Sequence, residues 1–237
     1  MTSYCIIPAR GGSKRIPHKN IREFCGKSMI VWSIEAALAS GLFDHVMVST
    51  DDPEIARIAR ENGAEVPFLR PAELAEDNTG IRAPVQHALR QMEATWGLPD
   101  LVCCLYATAP FVRPVDLKAG RDALALSKAD LAFSVTTFPA PVQRALKINQ
   151  DGRLEMFQPQ HQQTRSQDLE HAYHDAAQFY WGRTEPYLKG ISFYSPAAIP
   201  VILPRYRVQD IDTPEDWQTA ELLFQVQQQN KATELPQ

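Results

Sequence analysis

Apolar positions fall into short solid blocks that alternate with stretches of helical spacing along most of the chain. Residues 4–9 (Tyr-Cys-Ile-Ile-Pro-Ala) are a short apolar run bounded by Gly11 and Gly12, the pattern of a buried strand that runs into a loop. From Ser28 onward Ile30, Val31, Ile34, Ala37, Leu38 and Leu42 repeat at helical spacing, and Gly41 marks the stop. A second strand is predicted over 46–50, and Asp52-Pro53 places a cap and a first-turn proline on a helix reaching Asn62-Gly63. The rhythm predicts a short strand over 65–69, a helix from about Gly80 to Trp96 and a central, strongly apolar strand over 101–106. Pro114 opens a helix that ends near Lys128, and 131–135 is a further buried strand. Strands and helices in strict alternation imply an α/β fold: a three-layer, doubly wound, mostly parallel sheet. Ligands in such sheets bind at the carboxyl ends of the strands, here Arg10, Asp51, Thr108 and Thr136.

The alternation stops at Pro139-Ala140-Pro141. Residues 142–190 mix strand-like pieces (145–148, 178–181) with polar loops, which predicts a small inserted subdomain over 139–190 between core segments 1–138 and 191–227. Phe138, Phe157, Phe179, Tyr180 and Trp181 are more aromatic surface than a polar loop needs, so part of this unit is expected to pack against a second chain as a homodimer. The core resumes with a strand over 199–203, and Thr213-Pro214-Glu215-Asp216 caps a last helix whose face carries Trp217, Ala220, Leu223 and Phe224. Glutamine-rich residues beyond Gln225 are expected to fray, with 228–237 as a tail.

Composition narrows the function class. With 44% hydrophobic and 22% charged residues in 237, the chain has the balance of a globular enzyme and is too apolar to be disordered. A net charge of −4 argues against a broad nucleic-acid surface, so any polyanion site must be local. No run approaches the ~18 apolar residues of a membrane span, and the first apolar block is too short for a signal sequence, so a cytoplasmic protein is expected. Cys5, Cys25, Cys103 and Cys104 lack C-x-x-C spacing and read as free thiols, with Cys25 the one candidate for reactivity. The six histidines show no zinc spacing.

Two motifs carry chemistry. Between residues 10 and 27 stand Arg10, Lys14, Arg15, Lys19, Arg22 and Lys27 against the single acid Glu23, a local excess of +5 in a chain of −4. A glycine pair, Gly11-Gly12, followed by Ser13 lets backbone amides approach an anion, and cations fixed after a first strand can hold several phosphate oxygens. The spacing is neither Walker A nor G-x-G-x-x-G, which weighs against P-loop kinases and dinucleotide dehydrogenases. The second motif is Gln209-Asp210-Ile211-Asp212-Thr213-Pro214. Carboxylates at i and i+2 of an extended segment point the same way and suit Mg²⁺, which takes one or two carboxylates plus substrate phosphates. Taken alone, Asp212 could instead be the cap of the helix that follows.

"IIPARGGSKRIPHKN", "VSTDDPEIARIA", "FLRPAELAEDNTG" and "QDIDTPEDW" together resemble the acylneuraminate cytidylyltransferase family over residues 4–224. "CCLYATAPF", "RSQDLEHAYHDAAQFYWG" and "LPRYRVQDIDTPEDW" look closest to its pseudaminic acid branch. The resemblance implies a nucleotide-sugar transferase fold and an enzyme that joins CTP to a nine-carbon α-keto acid sugar. It implies that Arg10, Lys14, Lys19 and Asn20 meet the CTP phosphates and nucleotide, that Arg70 lies close to the nucleotide, and that Asp210 and Asp212 hold Mg²⁺. Arg165 would hold the sugar carboxylate as a bidentate guanidinium. Gln167, Tyr173, His174, Asp175 and Gln178 are candidates for the rest of the sugar pocket. Sialic acid members tend to carry Arg-Pro-Asn-Gly where this chain has His174-Asp175-Ala176-Ala177, which points away from N-acetylneuraminate, although that sugar and legionaminic acid stay open. Two other classes fit worse. Haloacid-dehalogenase phosphatases place D-x-D-x-T after the first strand, whereas Asp210-Ile211-Asp212-Thr213 comes late with its threonine one place early. A noncatalytic nucleotide sensor would have no use for the two aspartates.

Overall fold

Side-chain parity along the first strand, β1 (Ser3–Pro8), sets the layering of the molecule. Cys5 and Ile7 face one helical layer while Tyr4 and Ile6 face the other, and all four are buried. The computed structural model describes residues 1–76 and 79–233, with side chains through residue 229. Asp77 and Asn78 of the motif at 68–80, and residues 234–237 of the tail, lie outside the described residues.

After β1 come a small hairpin, β2 (Glu23–Phe24) and β3 (Lys27–Ser28), then α1 (Met29–Ser40), β4 (His45–Ser49) and α2 (Pro53–Glu61). Next are α3 (Arg82–Trp96), β5 (Leu101–Leu105), α4 (Pro114–Leu126) and β6 (Leu131–Thr137). A second hairpin, β7 (Leu146–Ile148) and β8 (Leu154–Met156), precedes β9 (Tyr173–Arg183), α5 (Thr184–Leu188), β10 (Ala198–Ile202) and α6 (Pro214–Thr233). The main sheet has six strands in the order β10-β6-β9-β5-β1-β4, with β9 running antiparallel to both of its neighbours and the other pairs parallel. α1, α2 and α4 pack their apolar stripes on one face, and α3 and α5 pack on the other. This is the expected three-layer α/β architecture.

Local chemistry explains the boundaries. Asp52 accepts from the Glu54 and Ile55 amides at 2.7 and 3.3 Å and caps α2, with Pro53 in its first turn. Thr213 and Asp216 form a reciprocal cap on α6, since the Asp216 amide donates to Thr213 Oγ1 and the Thr213 amide to Asp216 Oδ2. Three expectations change. Of 65–69, only Glu65 bridges to Met47, because Pro67 has no N–H to continue the ladder. The last helix does not fray at Gln225 but runs to Thr233. The excursion expected over 139–190 is shorter: residues 173–183 are an interior strand of the main sheet, and 138–172 with the β7–β8 hairpin is the part that stays off it.

β9 carries a pronounced bulge. Phe133 pairs with Tyr180 and Val135 with Asp175, so one residue of β6 faces four of β9. Ser134 fills the gap: its Oγ accepts from the Gln178 and Phe179 amides at 3.3 and 3.1 Å and donates to the Phe179 carbonyl. Ala177 turns there with φ +50°, a left-handed conformation that costs an alanine about 1–2 kcal/mol.

Candidate active site

The carboxyl ends of β1 and β5 open into a cavity of about 460 Å³ lined by Arg10, Ser13, Lys14, Arg15, Lys19, Asn20, Arg70, Tyr106, Thr108 and Asp212, among others. The size suits a nucleotide-scale ligand. Its floor is the basic loop after β1, and buried anchors shape that loop. Ile16 is fully buried in a third apolar cluster with Phe24, Trp217 and Phe224, so its charged neighbours Lys14 and Arg15 are left on the cavity side. Asn20, itself largely buried, donates from Nδ2 to the Arg10 carbonyl at 2.9 Å and closes the loop.

Gly11 and Gly12 do not line the cavity, contrary to the cradle expected from their spacing. The Gly11 amide donates to Asp51 Oδ1 at 3.2 Å, and a Cβ on Gly11 would sit 2.5 Å from Asp52 Oδ2. Glycine is therefore required at 11 for close approach to the acidic turn after β4, while the space around Gly12 is open. The positive charge that lines the cavity is carried by the side chains of Arg10, Lys14, Arg15, Lys19 and Arg70.

Arg70 is the most deeply set of them, with a side chain 2% exposed. Its Nη2 lies 3.4 Å from Asp51 Oδ1, and Nε has no hydrogen-bond partner among the described residues. Burial lowers its pKa and Asp51 opposes that shift. A buried guanidinium with one distant acidic partner is a site for an anion or a polar nucleoside group.

The acidic wall comes from the loop before α6, whose Asp212 lines the cavity while Asp210 stands outside its lining. Ile211 is fully buried in the third cluster, and Asp210 and Asp212 flank it. Lys19 Nζ donates to the Ile211 carbonyl at 2.7 Å and to Asp212 Oδ1 at 3.2 Å, and Arg15 Nη2 approaches the same oxygen at 3.0 Å. The helix cap belongs to Thr213, so Asp212 is free of that role. Asp210 keeps solvent contact in a crowded acidic recess; desolvation first, then the charge of Asp212, raises its pKa, and Lys19 works the other way. Two carboxylates with one residue between them, beside cations suited to phosphates, form a hard-oxygen donor set that fits Mg²⁺. Among the described residues no cluster of three or more His, Cys, Asp or Glu is arranged around one point, so the remaining donors would come from ligand and water.

The six sugar-pocket candidates separate. Arg165 and Gln167 are exposed on the turn at 165–168, and Tyr173 is exposed at the start of β9. His174 sets Nδ1 2.9 Å from the Asp175 carbonyl and turns an edge to Phe138. Asp175 is already engaged: Oδ1 accepts from the Ala177 amide at 2.8 Å, and Oδ2 from the hydroxyls of Tyr180 and Tyr194 at 2.7 and 3.1 Å. Gln178 faces inward, 3% exposed, and donates to the Arg207 carbonyl at 2.6 Å, which makes it a strut of the bulge. None of the six lines the 460 Å³ cavity. Tyr106, not expected, does line it, with its ring 5.2 Å from that of Tyr180. Burial raises the pKa of both hydroxyls and keeps them protonated. Tyr106 directly follows the apolar block of β5, so the strand-end rule that marked Thr108 could have marked it too.

A family profile described as cytidylyltransferase matches residues 4–232. A pseudaminic acid cytidylyltransferase of Campylobacter jejuni is 43% identical over 95% of this chain and 97% of its own length. A CMP-N,N'-diacetyllegionaminic acid synthase of Legionella pneumophila is 32% identical over 97% of this chain and 99% of its own. In fold, a CMP:2-keto-3-deoxy-manno-octonic acid synthetase solved with CTP superposes with a TM-score of 0.69 at 17% identity, covering 96% of this chain and 100% of that one.

Proposed function

The chain belongs to the cytidylyltransferase family, and from that premise we propose that it converts CTP and pseudaminic acid into CMP-pseudaminic acid and pyrophosphate, in the cytoplasm and with Mg²⁺. It is a nucleotidyltransferase. The observation that carries the choice of sugar is the agreement over nearly the whole chain with the Campylobacter protein named for that reaction. The geometry supports the nucleotide half independently: a cavity at the strand ends with cations on its floor and a carboxylate on its wall.

In the reaction the sugar's anomeric 2-hydroxyl attacks the α-phosphorus in line and pyrophosphate departs. The chain does little covalent work, and rate comes from positioning and from charge set in place beforehand. Arg10, Lys14 and Lys19 bind the triphosphate from the loop after β1. Arg70 anchors the nucleotide from the buried side. Asp210 and Asp212 would hold Mg²⁺, which when bound would supply neutralisation of the charge on the departing pyrophosphate. Lys19 bridges the two halves, because the ammonium that faces the cavity also holds the backbone and carboxylate of the acidic segment. Arg165 binds the sugar carboxylate. The exposed Leu146, Ile148, Leu154 and Phe157 of the β7–β8 region support a homodimer that brings this unit and Arg165 against a second copy.

The test is pyrophosphate release from CTP with pseudaminic, legionaminic, N-acetylneuraminic and 3-deoxy-octulosonic acids, with Mg²⁺ and with excess EDTA. Release with pseudaminic acid that EDTA abolishes is the expected result. Binding of CTP without release on any of the sugars would return the chain to the class of nucleotide binders.

A further inference from the structure

Three segments far apart in sequence meet behind the acidic wall. Asp116, in the first turn of α4, and Arg207, in the short turn at 205–207, form a two-pronged pair with Nη1–Oδ2 2.6 Å and Nη2–Oδ1 3.0 Å. Both side chains are only 8% exposed. Asp116 Oδ2 also accepts from the Arg113 amide at 3.1 Å, which ties the pair to the start of α4. The Arg207 carbonyl accepts from Gln178 in the β9 bulge, and the Gln178 carbonyl accepts from the Tyr106 amide at 2.8 Å. One connected set of bonds thus runs from the cavity wall at Tyr106, through the bulge, to a point three residues before Asp210.

Such a pair is poorly explained by stability. Removing both charges from water costs several kcal/mol, and a well-packed apolar replacement is often as stable or more so. Neither Asp116 nor Arg207 lines the cavity, so neither is placed to bind the nucleotide there. What the pair does is hold the upstream end of the acidic segment. Downstream, the segment is pinned by Ile211 in the apolar cluster and by the Thr213–Asp216 cap. Asp210 lies between these two anchors.

We propose that Asp116 and Arg207, with Gln178 as their strut, are positioning residues that set Asp210 relative to Asp212 and thereby set the affinity of the site for its divalent cation. The proposal rests on the metal reading of those two aspartates. Outer groups that orient metal-binding side chains commonly change metal affinity by about 10–100-fold when removed.

The test uses Mn²⁺ as the probe, titrated by electron paramagnetic resonance into the full chain with CTP and no sugar, alongside thermal melting. Arg207→Met leaves Asp116 buried and unpaired and should lower both Tm and Mn²⁺ affinity. The double variant Asp116→Leu/Arg207→Met removes the stranded charge, so Tm should rise well above that of Arg207→Met, short of the parent only by the α4 cap that Asp116 supplied, while Mn²⁺ affinity stays roughly 10-fold below the parent. CTP binding measured in EDTA should change by less than about 3-fold, since the cationic floor is untouched. If the double variant regains both Tm and Mn²⁺ affinity, the pair is merely structural and the proposal is overturned. If the parent protein with CTP shows no Mn²⁺ bound beyond that of CTP alone, the metal reading fails, and this proposal falls with it.

Discussion

Lys19 is the residue on which the two halves of the site converge. Its Nζ holds the Ile211 carbonyl and Asp212 from a side chain that also faces the cavity. Lys19→Ala should reduce turnover by roughly 10²-fold or more, the usual scale for losing one preorganised electrostatic group, and Arg10→Ala should do the same with the fold intact by circular dichroism. Full activity in a folded variant would remove that residue from the site. Asp210 makes a different prediction, because its pKa is raised by burial and by Asp212. A carboxyl whose folded pKa lies above its unfolded value favours the fold while protonated, and that contribution is lost as pH rises through the folded pKa. At neutral pH the ionised group therefore strains the fold, so Asp210→Asn should melt higher than the parent near pH 7 while losing Mg²⁺-dependent turnover. Melting curves at pH 4 and pH 7 check the sign, since the gap should shrink in acid. A lower Tm at pH 7 would contradict it. Most cations of this site were legible in the sequence because Arg10, Lys14, Arg15 and Lys19 belong to the basic crowd at 10–27; Arg22 and Lys27 of that crowd turn instead to Trp217 and Glu35. The Gly11 amide misled, since spacing shows that a backbone can approach something but not that its partner is Asp51 of the same chain.

Elements position these residues through a few buried anchors. Ile16 and Ile211 are both fully buried in the cluster under α6, so one apolar unit registers the basic loop against the acidic one. Ile211→Ala should cost about 2–5 kcal/mol, as large-to-small changes in packed cores do, and should depress kcat more than CTP affinity because the carboxylates lose register while the cations do not. Unfolding in urea and steady-state kinetics on the same preparation separate the two effects; an equal loss in Asp212 function and CTP binding would argue for general loosening. Most elements were visible from periodicity: β1, α1, α2, α3, β5, α4, β6 and β10 sit within a few residues of the expected spans. β9 was visible only in its second half. Its first half shows no apolar alternation: Tyr173, His174 and Asp175 are polar or exposed although they pair with β6, and the bulge stitched by Ser134 then leaves residues 176–179 without β6 partners. A strand that enters a parallel sheet backwards, after a long off-sheet excursion, leaves no local trace of its neighbours.

At the scale of the whole molecule, two surfaces remain to be matched with partners. Leu146, Ile148, Leu154 and Phe157 are each more than half exposed around the β7–β8 hairpin, an apolar concentration that a second copy would cover. A dimer mass by light scattering at micromolar concentration is expected, and Ile148→Asp should shift it toward monomer; a monomeric parent would count against the arrangement. The second surface is the β9 bulge proposed to face the sugar, where the polar groups are turned on one another. Asp175 accepts from Ala177, Tyr180 and Tyr194, His174 pairs with the Asp175 carbonyl, and Gln178 is drawn inward to Arg207. What is left facing outward is the small side chain of Ala177 and the aromatic edges of Phe138 and Tyr194. Pseudaminic acid carries an acetamido group and a methyl terminus where N-acetylneuraminic acid carries hydroxyls. Hydroxyls brought against a wall whose Asp175 carboxylate and His174 Nδ1 are already engaged lose their water without gaining partners there, and each such loss costs about 1–3 kcal/mol. Two of them give roughly 10²-fold or more, so kcat/KM for pseudaminic acid should exceed that for N-acetylneuraminic acid by at least that factor. Tyr194→Phe releases one acceptor site on Asp175 and should narrow the gap, chiefly by improving the poorer substrate. Equal efficiency on the two sugars in the parent enzyme would show that the bulge does not choose the sugar, and would leave nucleotidyl transfer itself unaffected.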